Sequence, residues 1–210
     1  MRGVPGRRAA ALLAVVTAVG VVCAGCSSGA TSPTHQAVSS AVDSTVVIGV
    51  TGDPLQQALA DVYRAGLEEQ GRTVEETRVD DADRISGLRS GDLTLVTGCV
   101  GELLDTLDAA KGRELRELYR AEQAEGEVDA ETWRDITHST MVSALPTDLQ
   151  ATDPGLAVAC EDESLPQNIV AVYRKPTMDR ADRKALNDVA GGVTTADLQA
   201  AAEDVDQATE

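Results

Sequence analysis

The feature that most constrains the fold is a β-branched run followed directly by a polar turn and an amphipathic helix. Residues 45–50 read TVVIGV, a pattern typical of a strand that is buried on both faces in a parallel sheet. Asp53 and Pro54 then stand where an N-cap and the first helical residue are expected. Apolar residues follow at helical spacing, and Gly71 marks the predicted end of the helix.

The same alternation continues along the chain. A β-α-β-α-β order predicts a parallel sheet with right-handed crossovers, so the predicted fold class is α/β with helices on both faces of the sheet. In the charged helical stretch over 111–135, Leu115, Leu118 and Tyr119 are predicted to form the buried stripe. The predicted strands cover 45–50, 73–79, 93–97, 141–145, 156–160 and 169–173, and the other predicted helices cover 80–90, 98–109, 178–190 and a segment from Thr194 or Thr195.

The first 25 residues have the pattern of an export signal. Three arginines precede an apolar run over 9–22, which is shorter than the ~20 residues that span a bilayer. Ala24, Gly25 and Cys26 resemble a bacterial lipobox, although Cys23 stands where an aliphatic residue is usual. An ordinary signal cleaved near Ser27 is the alternative.

The lipobox resemblance leads to three expectations. Residues 1–25 are a lipoprotein signal peptide, Cys26 carries the lipid, and residues 26–44, rich in Ser, Thr and Gly, are a flexible tether. The protein is then exported and anchored to the outer face of the cell membrane through the lipid on Cys26.

Charge and composition exclude several function classes. The formal net charge is −17, and it becomes −20 once a signal holding three arginines and no carboxylates is removed. Such a charge excludes a nucleic-acid binder, because nothing offsets phosphate repulsion. Aromatic residues make up only 2% of the chain, which disfavours stacking platforms and weakens any aromatic cage for a quaternary amine.

The residues of the body do not indicate catalysis. His138 is the only histidine beyond the tether, and no nucleophile, phosphate-loop or zinc motif is present. The acidic clusters over 80–83 and 161–163 are best explained as solvated turns rather than as a cation site. We therefore predict no enzyme activity, no metal and no cofactor.

Two cysteines of the body, Cys99 and Cys160, are available for a disulfide in an exported protein. Such a bridge stabilises the fold by about 4 kcal/mol in the chain-entropy description. Reactive free thiols are the alternative, although no Cys-x-x-Cys motif supports them.

Polar residues at two predicted strand ends are the candidate binding residues. In open α/β sheets, ligands bind beyond the carboxyl ends of strands, next to helix N-termini. Here those positions are Thr51, Gly52, Asp53 and Gln56 after the first strand, and Thr97 and Gly98 after the third. Ordinary βα turns are the competing interpretation.

Several segments resemble the glycine betaine/choline-type osmoprotectant-binding proteins of ABC importers. The stretch TVVIGVTGDPLQQALADVYRAGLEEQGRTVEETRV resembles their opening strand, turn and helix, and residues 85–93 and 101–104 resemble the segments that follow. Leu165, Pro166, Gln167 and Asn168 resemble the segment that returns to the first lobe. The tail over 185–199 is similar to their closing helix pair.

The resemblance implies a type II periplasmic-binding-protein-like lobe formed by residues 45–101 and 156–210. Only residues 102–155 stand where the family has a complete second lobe, which generally needs more chain than this. We therefore expect a reduced, helical second lobe or insertion there. The resemblance adds Gln167 and Asn168 to the candidate ligand residues.

The sequence thus predicts a solute-binding lipoprotein that captures a small polar or quaternary-amine osmoprotectant and delivers it to ABC permease and ATPase subunits. The alternative is an envelope lipoprotein with a degenerate binding fold that acts through protein–protein contacts.

Overall fold

The computed structural model of the protein describes residues 45–126 and 128–209, all within one compact unit. The predicted signal peptide, the tether and Cys26 lie outside the described residues. The strands are β1 (Val46–Val50), β2 (Val74–Arg78), β3 (Leu95–Cys99), β4 (Leu149–Ala151) and β5 (Ile169–Arg174). The helices are α1 (Pro54–Glu69), α2 (Arg84–Ser90), α3 (Val100–Glu125), α4 (Ala130–Ser143), α5 (Arg180–Gly192) and α6 (Thr195–Thr209).

The five strands form one sheet in the order β2-β1-β3-β5-β4. β1 is parallel to both β2 and β3, as predicted from the alternating pattern. β5 is antiparallel to β3 and to β4, which corrects the expectation of a wholly parallel sheet. The reason is the path of the chain, because two consecutive helices, α3 and α4, and the short strand β4 separate β3 from β5.

Helices cover both faces of the sheet, as predicted. On one face, α1, α5 and α6 pack against β1, β3 and β5 through a cluster that includes Ile48, Leu59, Tyr63, Leu186 and Leu198. On the other face, α2, α3 and α4 form a second cluster with the sheet. Because each fully buried Leu, Ile or Val side chain contributes roughly 1.5–3 kcal/mol, these two layers hold the sheet between them.

The segment between β3 and β5 differs most from the prediction. Residues 141–145 were predicted to be a strand, but α4 continues to Ser143. Residues 156–160 form only one isolated bridge, between Val158 and Asn168. Leu118 is exposed rather than part of the buried stripe.

α3 and α4 form a helical hairpin that packs on the sheet. α3 ends at Gly126, which adopts a left-handed conformation with φ +77°, and Asp129 caps α4. Trp133 of α4 lies against Tyr119 of α3 with ring centroids 4.9 Å apart. Leu115, Trp133 and Met141 belong to the same buried cluster as Val96 and Val172 of the sheet, so this hairpin shares its core with the sheet.

Among residues 45–126 and 128–209, no helix combines the length and the hydropathy that crossing a membrane requires.

Candidate functional site

An open cleft lies at the carboxyl end of β1, where ligands bind in α/β folds. Its volume is about 270 Å³. It holds four carboxylate side chains and no aromatic one among the described residues, and we call it the acidic cleft. The residues that line it are Thr51, Asp53, Leu55, Gln56, Asp81, Glu102, Ala159, Cys160 and Glu161.

The N-terminus of α1 forms one wall of the acidic cleft. Asp53 caps this helix, since its Oδ1 accepts a hydrogen bond of 2.8 Å from the backbone N–H of Gln56. Pro54 occupies the first helical turn, where its missing N–H leaves no bond unmade. The cap fixes the direction in which the helix leaves the sheet, and it thereby places Gln56 in the wall.

A buried guanidinium ties together the elements behind the cleft. Arg84, only 1% exposed, donates from Nη1 to the carbonyl oxygen of Thr97 at 2.7 Å. Its Nη2 pairs with Asp81 Oδ1 at 3.0 Å and with Glu102. Burial lowers the pKa of Arg84, and the charge of Asp81 opposes that change. One cation therefore joins α2, the end of β3 and the start of α3, and it pairs with two of the four cleft carboxylates.

The structure brings three of the predicted residues into the acidic cleft, namely Thr51, Asp53 and Gln56. Gly52 is exposed next to them, and a Cβ atom there would lie 3.7 Å from Arg78 Nη1.

Thr97 and Gly98 lie within β3 and line neither the acidic cleft nor the cleft that Gln167 and Asn168 line. Thr97 is 2% exposed and its carbonyl is used by Arg84. A Cβ atom at Gly98 would come 3.0 Å from Arg84 Nη1. Both residues therefore lie against the guanidinium of Arg84.

Gln167 and Asn168 line a second cleft of about 300 Å³. Gln167 donates to the carbonyl of Asp162 at 2.8 Å and accepts from the N–H of Glu102 at 3.2 Å. Asn168 donates to the carbonyl of Gly155 at 2.9 Å. The side-chain amide of Gln167 thus holds the start of α3 in place, and that of Asn168 holds the backbone at Gly155. The other residues of this second cleft are Tyr119, Gln123, Ala130, Val158, Cys160, Glu163, Leu165 and Pro166.

Cys160 lies in the wall common to both clefts, and the structure joins it to Cys99 by a disulfide whose Cα atoms are 6.2 Å apart. Glu102 Oε2 lies 2.9 Å from Cys160 Sγ. These two sulfurs and that carboxylate are the only close group of three metal-type ligands in the described ranges. With the sulfurs bonded to each other the group offers one carboxylate, which does not make a metal site.

The acidic turn over 161–164 borders both clefts and is fixed to α3 by Arg116. Arg116 pairs with Asp105 on its own helix and donates from Nε to Ser164 Oγ at 2.6 Å. Hydrogen bonds from Ser164, together with the charge of Arg116, lower the pKa of Asp162. The turn is therefore bonded to α3 through Ser164, while Glu161, Asp162 and Glu163 are exposed, in agreement with the interpretation of a solvated turn.

Sequence reasoning missed four residues of this site: Asp81, Glu102, Glu161 and Arg84. Asp81 and Glu161 stand in the acidic clusters that were interpreted as solvated turns. The available signal for Arg84 was its spacing, because it lies four residues before Leu88 and hence on the apolar face of α2. The histidine singled out in the sequence, His138, bonds through Nε2 to the carbonyl of Thr152 at 2.8 Å, away from both clefts.

Of three comparisons with known proteins, one identifies the family of this chain. A search of curated proteins found no significant match. A crystal structure of CbnR, a LysR family transcriptional regulator, matches with 12% identity over 78% of this chain and 72% of that chain, at a TM-score of 0.30, which is too low to carry an argument. The family described as the substrate-binding domain of the ABC-type glycine betaine transport system matches residues 44–161, more than half of the chain. By that match, the chain belongs to the family of substrate-binding domains of ABC-type glycine betaine transport systems.

Proposed function

We propose that the protein is a lipid-anchored, extracytoplasmic solute-binding protein of an ABC importer, which delivers a small polar or quaternary-amine osmoprotectant to permease and ATPase subunits. The observation that carries the proposal is the acidic cleft at the carboxyl end of β1, in a chain of this family. Thr51, Asp53 and Gln56 are the proposed ligand residues. Capture and release are the whole mechanism, and no covalent step is involved.

The charges of the cleft favour a solute with a cationic centre. Asp53, Asp81, Glu102 and Glu161 all line it, while Arg84 neutralises part of this charge from behind. A unit charge at 4 Å from a carboxylate interacts by about 1–4 kcal/mol at effective dielectric constants between those of water and of a protein surface. Several partly screened carboxylates therefore stabilise a bound cation.

The proposed division of the chain into a binding lobe and a reduced second lobe supports binding of the solute mainly by one lobe. We propose that residues 45–101 and 156–210 form the binding lobe and that 102–155 are a reduced second lobe. Most of this segment is the α3–α4 hairpin, which packs on the sheet through Leu115, Trp133 and Met141. Because the hairpin is packed into the core of the sheet, the solute is held chiefly by residues of the binding lobe.

A second candidate function is an envelope lipoprotein that acts through protein contacts. The observation that favours it is a pair of exposed apolar side chains, Leu156 and Val158, on the segment beside the second cleft. Contiguous exposed apolar surface is typical of interaction sites. Solute binding distinguishes the two candidate functions, because only the importer protein is expected to bind one.

Thermal unfolding of the full chain with betaine, choline, carnitine and proline tests the importer proposal. A solute at 100 times its Kd stabilises the folded state by about 2.7 kcal/mol, so we expect at least one of them to raise the Tm by roughly 5–10 °C. Asp53→Asn keeps an N-cap acceptor but removes the charge, and it should weaken that shift. Asp129→Asn makes the same change at the cap of α4 and should not. If no solute shifts the Tm at concentrations far above any plausible Kd, the importer proposal fails.

Lipid attachment at Cys26 is a separate prediction. Mass spectrometry of the protein from cell membranes should show an N-terminal peptide that begins at Cys26 and carries the mass of a diacylglyceryl group. Cys26→Ser should release the protein from the membrane fraction, while Cys23→Ser should leave it there. An unmodified N-terminus near Ser27 would instead indicate ordinary signal cleavage.

A further inference from the structure

Among the described residues that line the acidic cleft, Gln56 alone has a buried side-chain polar atom without a hydrogen-bond partner. It is 7% exposed, it lines the cleft, and its Nε2 lies 3.3 Å from Cys160 Sγ. Its Oε1 is buried and accepts no hydrogen bond from any described residue. A buried acceptor without a donor is unfavourable for folding, so its presence in a cleft wall indicates a donor supplied by a ligand.

The neighbouring disulfide fixes which end of the amide is unpaired. A bonded sulfur carries no hydrogen and only accepts. The amide therefore makes a hydrogen bond to Cys160 only when its nitrogen faces the sulfur, as it does here. The oxygen is then left as the free acceptor, and the cleft lacks a donor rather than an acceptor.

The spacing of the carboxylates argues against a bound metal ion at this place. Compact cation sites need several oxygen ligands around one point. In the part of the chain that the structure describes, no three of the four cleft carboxylates bring their oxygen atoms within 4.8 Å of one another. Charges spread over a cleft of about 270 Å³ fit an organic cation better.

The described lining of the acidic cleft offers no aromatic face to methyl groups on nitrogen. Aromatic faces are the usual partners of a quaternary ammonium group, and none of the described residues that line the acidic cleft is aromatic. Tyr119 belongs to the second cleft. A quaternary nitrogen would also leave Gln56 Oε1 unsatisfied, since it carries no hydrogen.

We infer that the acidic cleft selects a protonated amine with at least one N–H over its fully methylated counterpart. This inference rests on the proposed function. The N–H donates to Gln56 Oε1, and Asp53, Glu102 and Glu161 surround the positive charge. Charge-assisted hydrogen bonds are among the strongest that proteins make. One N–H in place of one N–CH₃ is therefore expected to strengthen binding at least tenfold.

Calorimetric titration of the full chain with two matched pairs tests this inference. The pairs are N,N-dimethylethanolamine against choline and N,N-dimethylglycine against glycine betaine, because each pair differs only in one methyl group on nitrogen. We expect the N–H member of each binding pair to have the lower Kd by tenfold or more. Equal or tighter binding of the quaternary members would overturn the inference and leave the proposed function standing. If neither member of either pair binds, the inference is overturned, and the proposed function fails as well only if carnitine and proline also leave the Tm unchanged.

A pair of variants assigns the effect to one atom. Gln56→Met keeps the length of the side chain and removes the acceptor, so it should abolish the preference within each pair. Because it also removes an unpaired buried oxygen, the Tm without solute should stay the same or rise by about 2–4 °C. Gln57→Met changes the adjacent residue, whose amide bonds to Glu76 outside the cleft, and should keep the preference. A preference that persists in Gln56→Met would overturn the assignment, and the wild-type comparison stands even if that variant does not fold.

Discussion

Replacing both Cys99 and Cys160 with alanine is expected to lower the free energy of unfolding by about 4 kcal/mol. The bridge closes a sequence separation of 61 residues, and opening a loop of that size returns a large conformational entropy to the unfolded chain. For a domain of this size the loss corresponds to a fall in Tm of roughly 8–16 °C. Alanine is the better substitute, because Cys99 is the N-cap residue of α3 and serine there would add a stabilising cap.

The position of the bridge predicts a functional effect as well. Cys160 lies in the wall of both clefts, and the side-chain amide of Gln56 donates a hydrogen bond to its sulfur. The double variant should therefore bind its solute more weakly than the wild type, even at temperatures where it is folded.

Reductant provides the matched control for the disulfide. It should lower the Tm of the wild type to that of the double variant and leave the variant unchanged. Alkylation after denaturation without reductant, followed by peptide mass spectrometry, should find Cys99 and Cys160 unlabelled and joined. Labelling of both Cys99 and Cys160 in the wild type would contradict the pairing.

Elements with local signals were predictable from the sequence. The N-cap Asp53 with Pro54 begins α1 as expected, and Gly71 and Gly91 follow α1 and α2 with positive φ values of +82° and +92°. These signals are contained in a few neighbouring residues, and the chemistry that produces them does not depend on the rest of the fold. The two helical layers followed in the same way from apolar periodicity.

Features that depend on distant contacts were not predictable. The run over 169–173 reads the same for a parallel and an antiparallel strand, so its direction depended on the path of the α3–α4 hairpin. Residues 141–143 continue α4, because a short apolar run fits a helix and a strand equally well. Leu118 is exposed because the buried face of α3 passes through Leu115 instead.

In the candidate site, too, features that depend on neighbouring residues were predictable and those that depend on distant contacts were not. Thr51, Asp53 and Gln56 lie in the acidic cleft because one turn and one cap determine their positions. Thr97 and Gly98 were predicted to follow the third strand, but β3 runs from Leu95 to Cys99 and contains both, and the carbonyl oxygen of Thr97 accepts a hydrogen bond from Arg84. That contact spans 13 residues of sequence. The spacing of Arg84 before Leu88 indicates that Arg84 is buried, but it does not indicate which carbonyl oxygen Arg84 contacts.

Arg84→Met should be the most destabilising single substitution around the acidic cleft. It removes the donor to the buried carbonyl of Thr97 and leaves Glu102 and Asp81 without their shared cation. Breaking a fully buried pair costs about 3–5 kcal/mol, but the side chains of Glu102 and Asp81 are 30% and 71% exposed. Water compensates part of the loss, so we expect about 2–4 kcal/mol.

Urea unfolding of matched variants tests the role of Arg84. Arg89→Met removes an exposed arginine from the same helix and should change the free energy of unfolding by less than about 0.5 kcal/mol. Glu102→Gln combined with Arg84→Met should recover part of the loss, because the double variant no longer leaves an unpaired carboxylate beside the disulfide. A loss in Arg84→Met no larger than that in Arg89→Met would show that this guanidinium does not hold β3, α2 and α3 together. Equal stability of the single and double variants would show instead that the loss comes from the carbonyl of Thr97 and not from Glu102.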